Sequence, residues 1–288
     1  VIVPDGFLAM LPFEALNTAE TGDPAYLTDA HSITYTQSAS VLTWTRKFSR
    51  APAKKTLFAL ADPIFSANDP RLVATAKTDA TSQDAPRAST PTGLAFRRLP
   101  ETETEVETLA AILGVEARPP DVLVGTSATK ATLQKTDLSA YRYLHFATHA
   151  AALGQPGRVN EPFLVLNQTG NQPGDNGLLT MSEIMGLKLS SELVVLGACD
   201  TGVGDVLEGD GVASLASAFQ FAGAESVVLS LWELPSEATL PFMRAFYQEL
   251  KLGNSKVDAL QSGRDAMRRL YPDPYYWAVF ALYSGASP

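Results

Sequence analysis

Two residues have the type and placement for nucleophilic chemistry: Cys199, the single cysteine of the chain, and His149, 50 positions before it. Cys199 closes the apolar run "LVVLGAC" and precedes the polar, glycine-broken "DTGVGDVLEGDG"; His149 closes "YLHFATH". Both runs read as strands buried on two faces. In open α/β sheets, ligands bind beyond the carboxyl ends of the strands. If these strands are parallel neighbours, thiol and imidazole share one rim. A thiol is only a few per cent thiolate at neutral pH, and a nearby imidazole or helix N-terminus raises that fraction. The backbone N–H groups of Cys199 and Ala150 are candidate donors to an oxyanion. Taken singly, each residue is ordinary: a lone cysteine at a strand end is usually a small core residue, and His145 reads as a hydrogen-bonded core histidine. The pair points to chemistry.

The rest of the chain supplies the elements that must position the pair. Further strands are predicted at "TLFALAD", "DVLVG", "SVVLSLW" and "WAVFALYS". Helices are predicted at "ETETEVETLAAILG", with Val106, Leu109, Ala110 and Leu113 at helical spacing and Thr102 with Glu105 as a capping box. Others follow at "TSATKATLQK", "TMSEIMGLKL", "DGVASLASAFQFAG", "SEATLPFMRAFYQELKLG", where Pro241 breaks or tilts the early part, and "SKVDALQSGRDAMRRL". "PFLVLNQTGNQPGDNGLLTM" reads as a hairpin excursion. Strands alternating with helices predict an α/β fold: a mainly parallel sheet with helices on both faces. Residues 1–50 read as a strand-rich extension with one short helix, and residues 51–288 as the α/β domain. Residues 77–93, rich in Ser, Thr, Pro and Ala, read as a mobile linker. The glycine-rich Gly202–Gly211 and the stretch Leu234–Thr239 read as loops beside the cleft, one or both of them mobile or blocking the pocket until a partner domain orders them.

Composition excludes several functions. A chain of 288 residues with 45% hydrophobic and 18% charged residues can bury a sizeable core. A formal net charge of −9 argues against a nucleic-acid-binding face. No apolar run is long enough to span a bilayer. One cysteine excludes an internal disulfide and fits a reducing, cytoplasmic setting; with three histidines it also makes a zinc site a poor expectation. No P-loop, GxGxxG or GxSxG is present. The start "VIVPDG", without an initiator Met, reads as the start of a piece of a longer protein.

The spacing of the pair resembles the caspase signature, QAC[RQG]G with a histidine about 50 residues upstream, although "GACDTG" departs from it. "LHFATHA", "LVVLGACDTGVG", "GDGVASLASAFQFAGAESVVLSLWELPSEAT", "FMRAFYQEL" and "PYYWAVFALYSG" together resemble the CHAT family of caspase-like proteins, as do "IVPDGFLAMLPFEAL" and "LPETETEVETLAAILG". The resemblance implies a caspase-like three-layer sandwich and a Cys–His dyad at Cys199 and His149. It implies a cysteine endopeptidase acting on a specific protein substrate, with no cofactor and no metal. It also implies a regulatory or TPR region of the same polypeptide, as in relatives that include bacterial defence proteases. Ala150 stands where many members have Gly. "LWELPSEA" stands where separase-like relatives have a run like "LWDVTD". Asp200, Glu233 and Glu237, with Trp232, are pocket candidates for a basic residue before the cut. The alternative is a catalytically silent pseudoprotease serving as an interaction module.

Overall fold

A computed structural model describes residues 1–45, 53–73, 96–151, 161–197 and 209–284. The strands are β1 (Lys55–Pro63), β2 (Val122–Gly125), β3 (Tyr141–Ala147), β4 (Ala150–Ala151), β5 (Phe163–Val165), β6 (Leu178–Thr180), β7 (Leu193–Leu196), β8 (Ser226–Ser230) and β9 (Phe280–Ser284). The α-helices are α1 (Leu27–Ala30), α2 (Ala39–Thr45), α3 (Pro70–Val73), α4 (Pro100–Leu113), α5 (Lys130–Lys135), α6 (Met181–Met185), α7 (Gly209–Ala222), α8 (Ser236–Leu252), α9 (Lys256–Leu270) and α10 (Pro274–Trp277). The main sheet runs β2-β1-β3-β7-β8-β9, with every pairing parallel except that of β9, which is antiparallel to β8. The predicted mainly parallel α/β fold with helices on both faces is observed. The hairpin excursion is observed too: β4, β5 and β6 form a small antiparallel sheet.

The layers follow from side-chain alternation along the strands. Leu144 and Phe146 of β3 face one apolar core with Leu215 and Phe219 of α7. Tyr143 and Ala147 face the other, with Leu109 of α4, Phe242 of α8 and Leu260 of α9. Helix ends obey local rules. Gly114, Gly223 and Gly253 follow α4, α7 and α8 with positive φ of 70°, 117° and 87°. Pro241 lies inside α8, which nevertheless continues to Leu252.

Two local expectations differ. Over residues 1–45 the described chain holds two short 3-10 helices (Gly6–Met10, Phe13–Ala15), α1, α2 and isolated bridges instead of ladder strands. Pro4, Pro12 and Pro24 interrupt this stretch, and a proline cannot donate to a ladder. The capping box at Thr102 and Glu105 does not form. Pro100 is the first helical residue of α4, so Thr102 is already inside the helix and Glu105 turns into the core at 2% exposure. The predicted linker at 77–93 lies outside the described residues.

The N-terminal segment is fastened by buried charge. The Arg264 Nη2 donates to Glu14 Oε1 at 2.7 Å and to the Phe280 carbonyl at 2.8 Å, and the Tyr35 hydroxyl donates to Glu14 Oε2 at 2.6 Å. Arg264 is 1% exposed and Glu14 is fully buried. Burial, followed by the nearby Glu14 charge, pushes the Tyr35 hydroxyl far above its ordinary value, so it remains a donor. Removing one partner of a buried ion pair strands the other in a low dielectric, a loss of about 3–5 kcal/mol. Glu14→Ala is therefore expected to lower unfolding free energy by that amount in a urea titration; a loss below about 1 kcal/mol would contradict this role.

Candidate active site

β3 and β7 are parallel neighbours. Tyr143 pairs with Leu193 and Phe146 with Leu196, an offset of 50 kept along the ladder. The Gly197 N–H donates to the Phe146 carbonyl at 2.9 Å, carrying the contact one residue further. His149 and Cys199 have the same offset. Cys199 and Asp200 themselves lie outside the described residues, as do the side chain of Glu237 and residues 202–208 of the glycine-rich stretch.

His149 sits just beyond the carboxyl end of β3. The turn that carries it is tied to β5: the Thr148 hydroxyl donates to the Val165 carbonyl at 2.6 Å, and the Val165 N–H donates to the His149 carbonyl at 2.8 Å. The ring packs against Phe65, at 5.0 Å between centroids, and Phe96, at 5.5 Å. It is 1% exposed, and its Nε2 lies 2.6 Å from the Arg97 carbonyl. A carbonyl oxygen only accepts, so Nε2 carries the proton. In the neutral ring Nδ1 is then the basic nitrogen.

Ala150 and Leu164 are partners in the β4–β5 ladder. Because the bond beside them runs from the Val165 N–H to the His149 carbonyl, they form a non-hydrogen-bonded pair. The Ala150 N–H is thereby directed away from β5, and Ala150 is buried.

Beneath the end of β7 lies a buried polar network. His145 Nε2 is 2.9 Å from Glu105 Oε1, His145 Nδ1 is 3.0 Å from the Tyr247 hydroxyl, and the Thr239 hydroxyl donates to Glu105 Oε2 at 2.5 Å. Burial, then the neighbouring Glu105 and Tyr143, pushes the Tyr247 hydroxyl well above its ordinary value and keeps it protonated. With Tyr247 donating to Nδ1, Nε2–H donates to Glu105, and every member is satisfied. His145 is thus the hydrogen-bonded core histidine that the sequence predicts. Its partner Glu105, which the sequence places in a capping box, is instead a core carboxylate. Its signal was position: it falls on the Val106, Leu109, Ala110 stripe of α4, where a carboxylate needs a partner.

A second polar group flanks the rim at the end of β1. The carboxyl Oδ2 of Asp62 accepts from Arg71 Nη1 at 2.7 Å and from Arg98 Nη2 at 2.9 Å. Asp62 is fully buried; burial lifts its carboxyl above the ordinary value against the pull of Arg98 and Arg71. Neither Asp62 nor Arg98 has a motif that would mark it in a single sequence.

Of the pocket candidates, Trp232 follows the end of β8; its ring stacks on Tyr275 at 6.1 Å and its Nε1 donates to the Tyr275 carbonyl at 2.9 Å. Glu233 is exposed, and its backbone carbonyl accepts from the Tyr275 hydroxyl at 2.7 Å. The stretch Leu234–Thr239, expected as a loop, includes the first turn of α8: the Ala238 N–H donates to the Pro235 carbonyl at 2.8 Å, and Thr239 is held by Glu105.

The profile of the CHAT domain matches residues 1–286. The chain belongs to the CHAT domain family. It is 28% identical over 214 residues to Tetratricopeptide repeat protein 28 of Homo sapiens and to its Mus musculus counterpart, matches that cover 64% of this chain. The chain spans about 8% of the length of these curated relatives. Among solved structures, separase in the Saccharomyces cerevisiae separase–securin complex superimposes with TM-scores of 0.52 and 0.50 in two crystal structures, at 14% and 13% identity. The superposition covers 96% of this CHAT chain in both and 14% and 15% of those chains. The CHAT chain therefore shares the caspase-like fold of separase. No described helix is long and apolar enough to cross a membrane.

The close fit at the end of β7 makes a measurable demand. A Cβ at Gly197 would lie 3.2 Å from both Glu105 Oε1 and His145 Nε2. Thr239 and Tyr247 pin those groups, so they cannot retreat. Gly197→Ala is expected to cost about 1–3 kcal/mol and to lower the thermal midpoint; an unchanged midpoint would show that the network yields.

Proposed function

We propose that this CHAT domain is a cysteine endopeptidase that uses His149 and Cys199 as a dyad. The observation that carries the reading is the β3–β7 register, whose offset of 50 equals the separation of the two residues. The position of the imidazole adds to it: Nε2–H donates to the Arg97 carbonyl, so in the neutral ring Nδ1 is the nitrogen that can accept a proton.

In this mechanism His149 Nδ1 takes the thiol proton. The Cys199 thiolate attacks the peptide carbonyl carbon, and the N–H groups of Ala150 and Cys199 receive the oxyanion. As the C–N bond breaks, the imidazolium returns its proton to the leaving amine. His149 then deprotonates a water that hydrolyses the thioester, restoring the thiol. No cofactor or metal takes part. The exposed Glu233, with Asp200 and Glu237, supplies negative charge for a basic side chain before the cut, and Trp232, fixed by Tyr275, forms an apolar wall. A TPR region of the same polypeptide, as the names of the relatives suggest, acts as the regulatory partner, and a specific protein is the substrate.

A second reading, a silent interaction module, is favoured by the 1% exposure of His149, since a working base must meet its substrate. The two readings separate in proteome-wide cleavage profiling. The endopeptidase reading predicts a small set of new N-termini that disappear in Cys199→Ala and in His149→Gln, with both variants folded. His149→Gln is preferred to His149→Ala because truncation between Phe65 and Phe96 would open a cavity. Cleavage that persists in Cys199→Ala, or no cleavage by the longer polypeptide in its native extract, would reject the endopeptidase.

A further inference from the structure

Asp62 occupies an unusual backbone position. It is a non-glycine residue with φ of +39°, in a region that costs most side chains energy. It is also where the register of β1 against β2 shifts, between Ala61 and Pro63. The bulge falls one residue past Ala61, which pairs with Ala147 of β3. The strained residue and His149 are therefore neighbours across the rim.

The residue turned inward by this bulge grips the segment that faces His149. The Asp62 carboxyl Oδ2 accepts from Arg98 Nη2 at 2.9 Å and Arg98 Nε at 3.2 Å. The Asp62 N–H donates to Thr102 Oγ1 at 3.0 Å, and that hydroxyl donates to the Leu99 carbonyl at 2.7 Å. Leu99, between the two attachments, is fully buried. Arg71 completes the arrangement from the other side: its Nη1 reaches Asp62 Oδ2 at 2.7 Å and the Asp62 carbonyl at 3.0 Å, and it is itself bonded to Asp69. The residue immediately before Arg98 supplies the carbonyl that takes the His149 Nε2 proton. One residue earlier, Phe96 lies against the ring.

We propose that Asp62 and Arg98 are positioning residues for His149: the ion pair between the buried Asp62 and the part-exposed Arg98 holds the Arg97 carbonyl against Nε2 and so fixes the imidazole in the tautomer whose Nδ1 is basic. The proposal deepens the endopeptidase reading, on which its catalytic consequence rests; the tautomer itself does not depend on that reading. A wrong tautomer puts an N–H where the thiol needs an acceptor, and the proton transfer fails although the ring is in place. The strained φ of Asp62 then has a use: it aims a carboxylate at residue 98 that a regular strand residue would direct elsewhere.

The test is carried out on the chain labelled with 15N-histidine, which has three imidazoles to assign, with His149→Gln identifying the signal. Long-range 1H–15N correlation reads which ring nitrogen is protonated. Arg98 is the residue to change, because its side chain is 39% exposed and its loss is tolerable to the fold. Wild type is expected to show a single Nε2–H tautomer. Arg98→Ala should populate the Nδ1–H tautomer, and Arg98→Lys, which keeps one charged donor, should restore the wild-type form in part. Arg71→Ala, which contacts the same carboxylate from outside the Phe96–Leu99 segment, should lower stability and leave the tautomer unchanged. In cleavage of a substrate found by profiling, Arg98→Ala should lower kcat on the order of 10- to 100-fold with KM little changed. An Arg98→Ala protein whose His149 stays wholly Nε2–H would overturn the proposal, and so would Arg71→Ala shifting the tautomer as far as Arg98→Ala. A tautomer shift in a chain that cleaves nothing would uphold the positioning role and reject the peptidase; a cleaving wild type with an unmoved tautomer would do the reverse.

Discussion

The pairing of β3 with β7 is the constraint from which the rest of the site follows. Both strands are buried on both faces, so a slip of one residue would exchange their two sets of side chains. Phe146 would leave the core it shares with Phe219, and His145 would lose Glu105 and Tyr247. The close approach of Gly197 to His145 adds a steric check on the same register. Cores that fill both faces therefore fix the offset of 50 residues, and the same offset relates the proposed base to the proposed nucleophile.

A second feature is the concentration of polar contacts on one stretch of chain. Between Phe96 and Glu105, five residues supply in turn a ring against His149, a carbonyl to its Nε2, a guanidinium to Asp62, a hydroxyl to the Asp62 N–H and a carboxylate to His145. Burying such groups is costly, and well-packed apolar replacements are often neutral or stabilising. Their concentration on one stretch of chain beside a largely apolar sheet agrees with a role in geometry over one in stability.

Much of the fold was legible because its signals are periodic or local. Apolar runs marked β1, β3, β7 and β8, the stripe of Val106, Leu109, Ala110 and Leu113 marked α4, and the Gly-, Asn- and Pro-rich stretch after Leu166 marked the hairpin. The failures share a cause. Thr102 and Glu105 match a capping box by spacing, but Pro100 starts the helix earlier, and burial gives Glu105 a partner 40 residues away in His145. Asp62 and Arg98 meet 36 residues apart through a bulge that no composition rule marks. Strand expectations over residues 1–45 failed because prolines interrupt the segment, and isolated bridges and a buried ion pair, Glu14 with Arg264, hold it without a ladder. His149 was visible as a strand-end residue; its committed Nε2 depends on a backbone carbonyl, which every residue possesses.

The most direct test of the account is the pH dependence of alkylation at Cys199, the one thiol in the chain. A small iodoacetamide reagent needs no substrate knowledge, and the rate follows the thiolate fraction. If His149 activates Cys199, the rate midpoint in the wild type should lie below the ordinary thiol value of about 8.5, and His149→Gln should return it to that value. A wild-type midpoint at about 8.5 or above, unchanged by His149→Gln, would contradict the dyad.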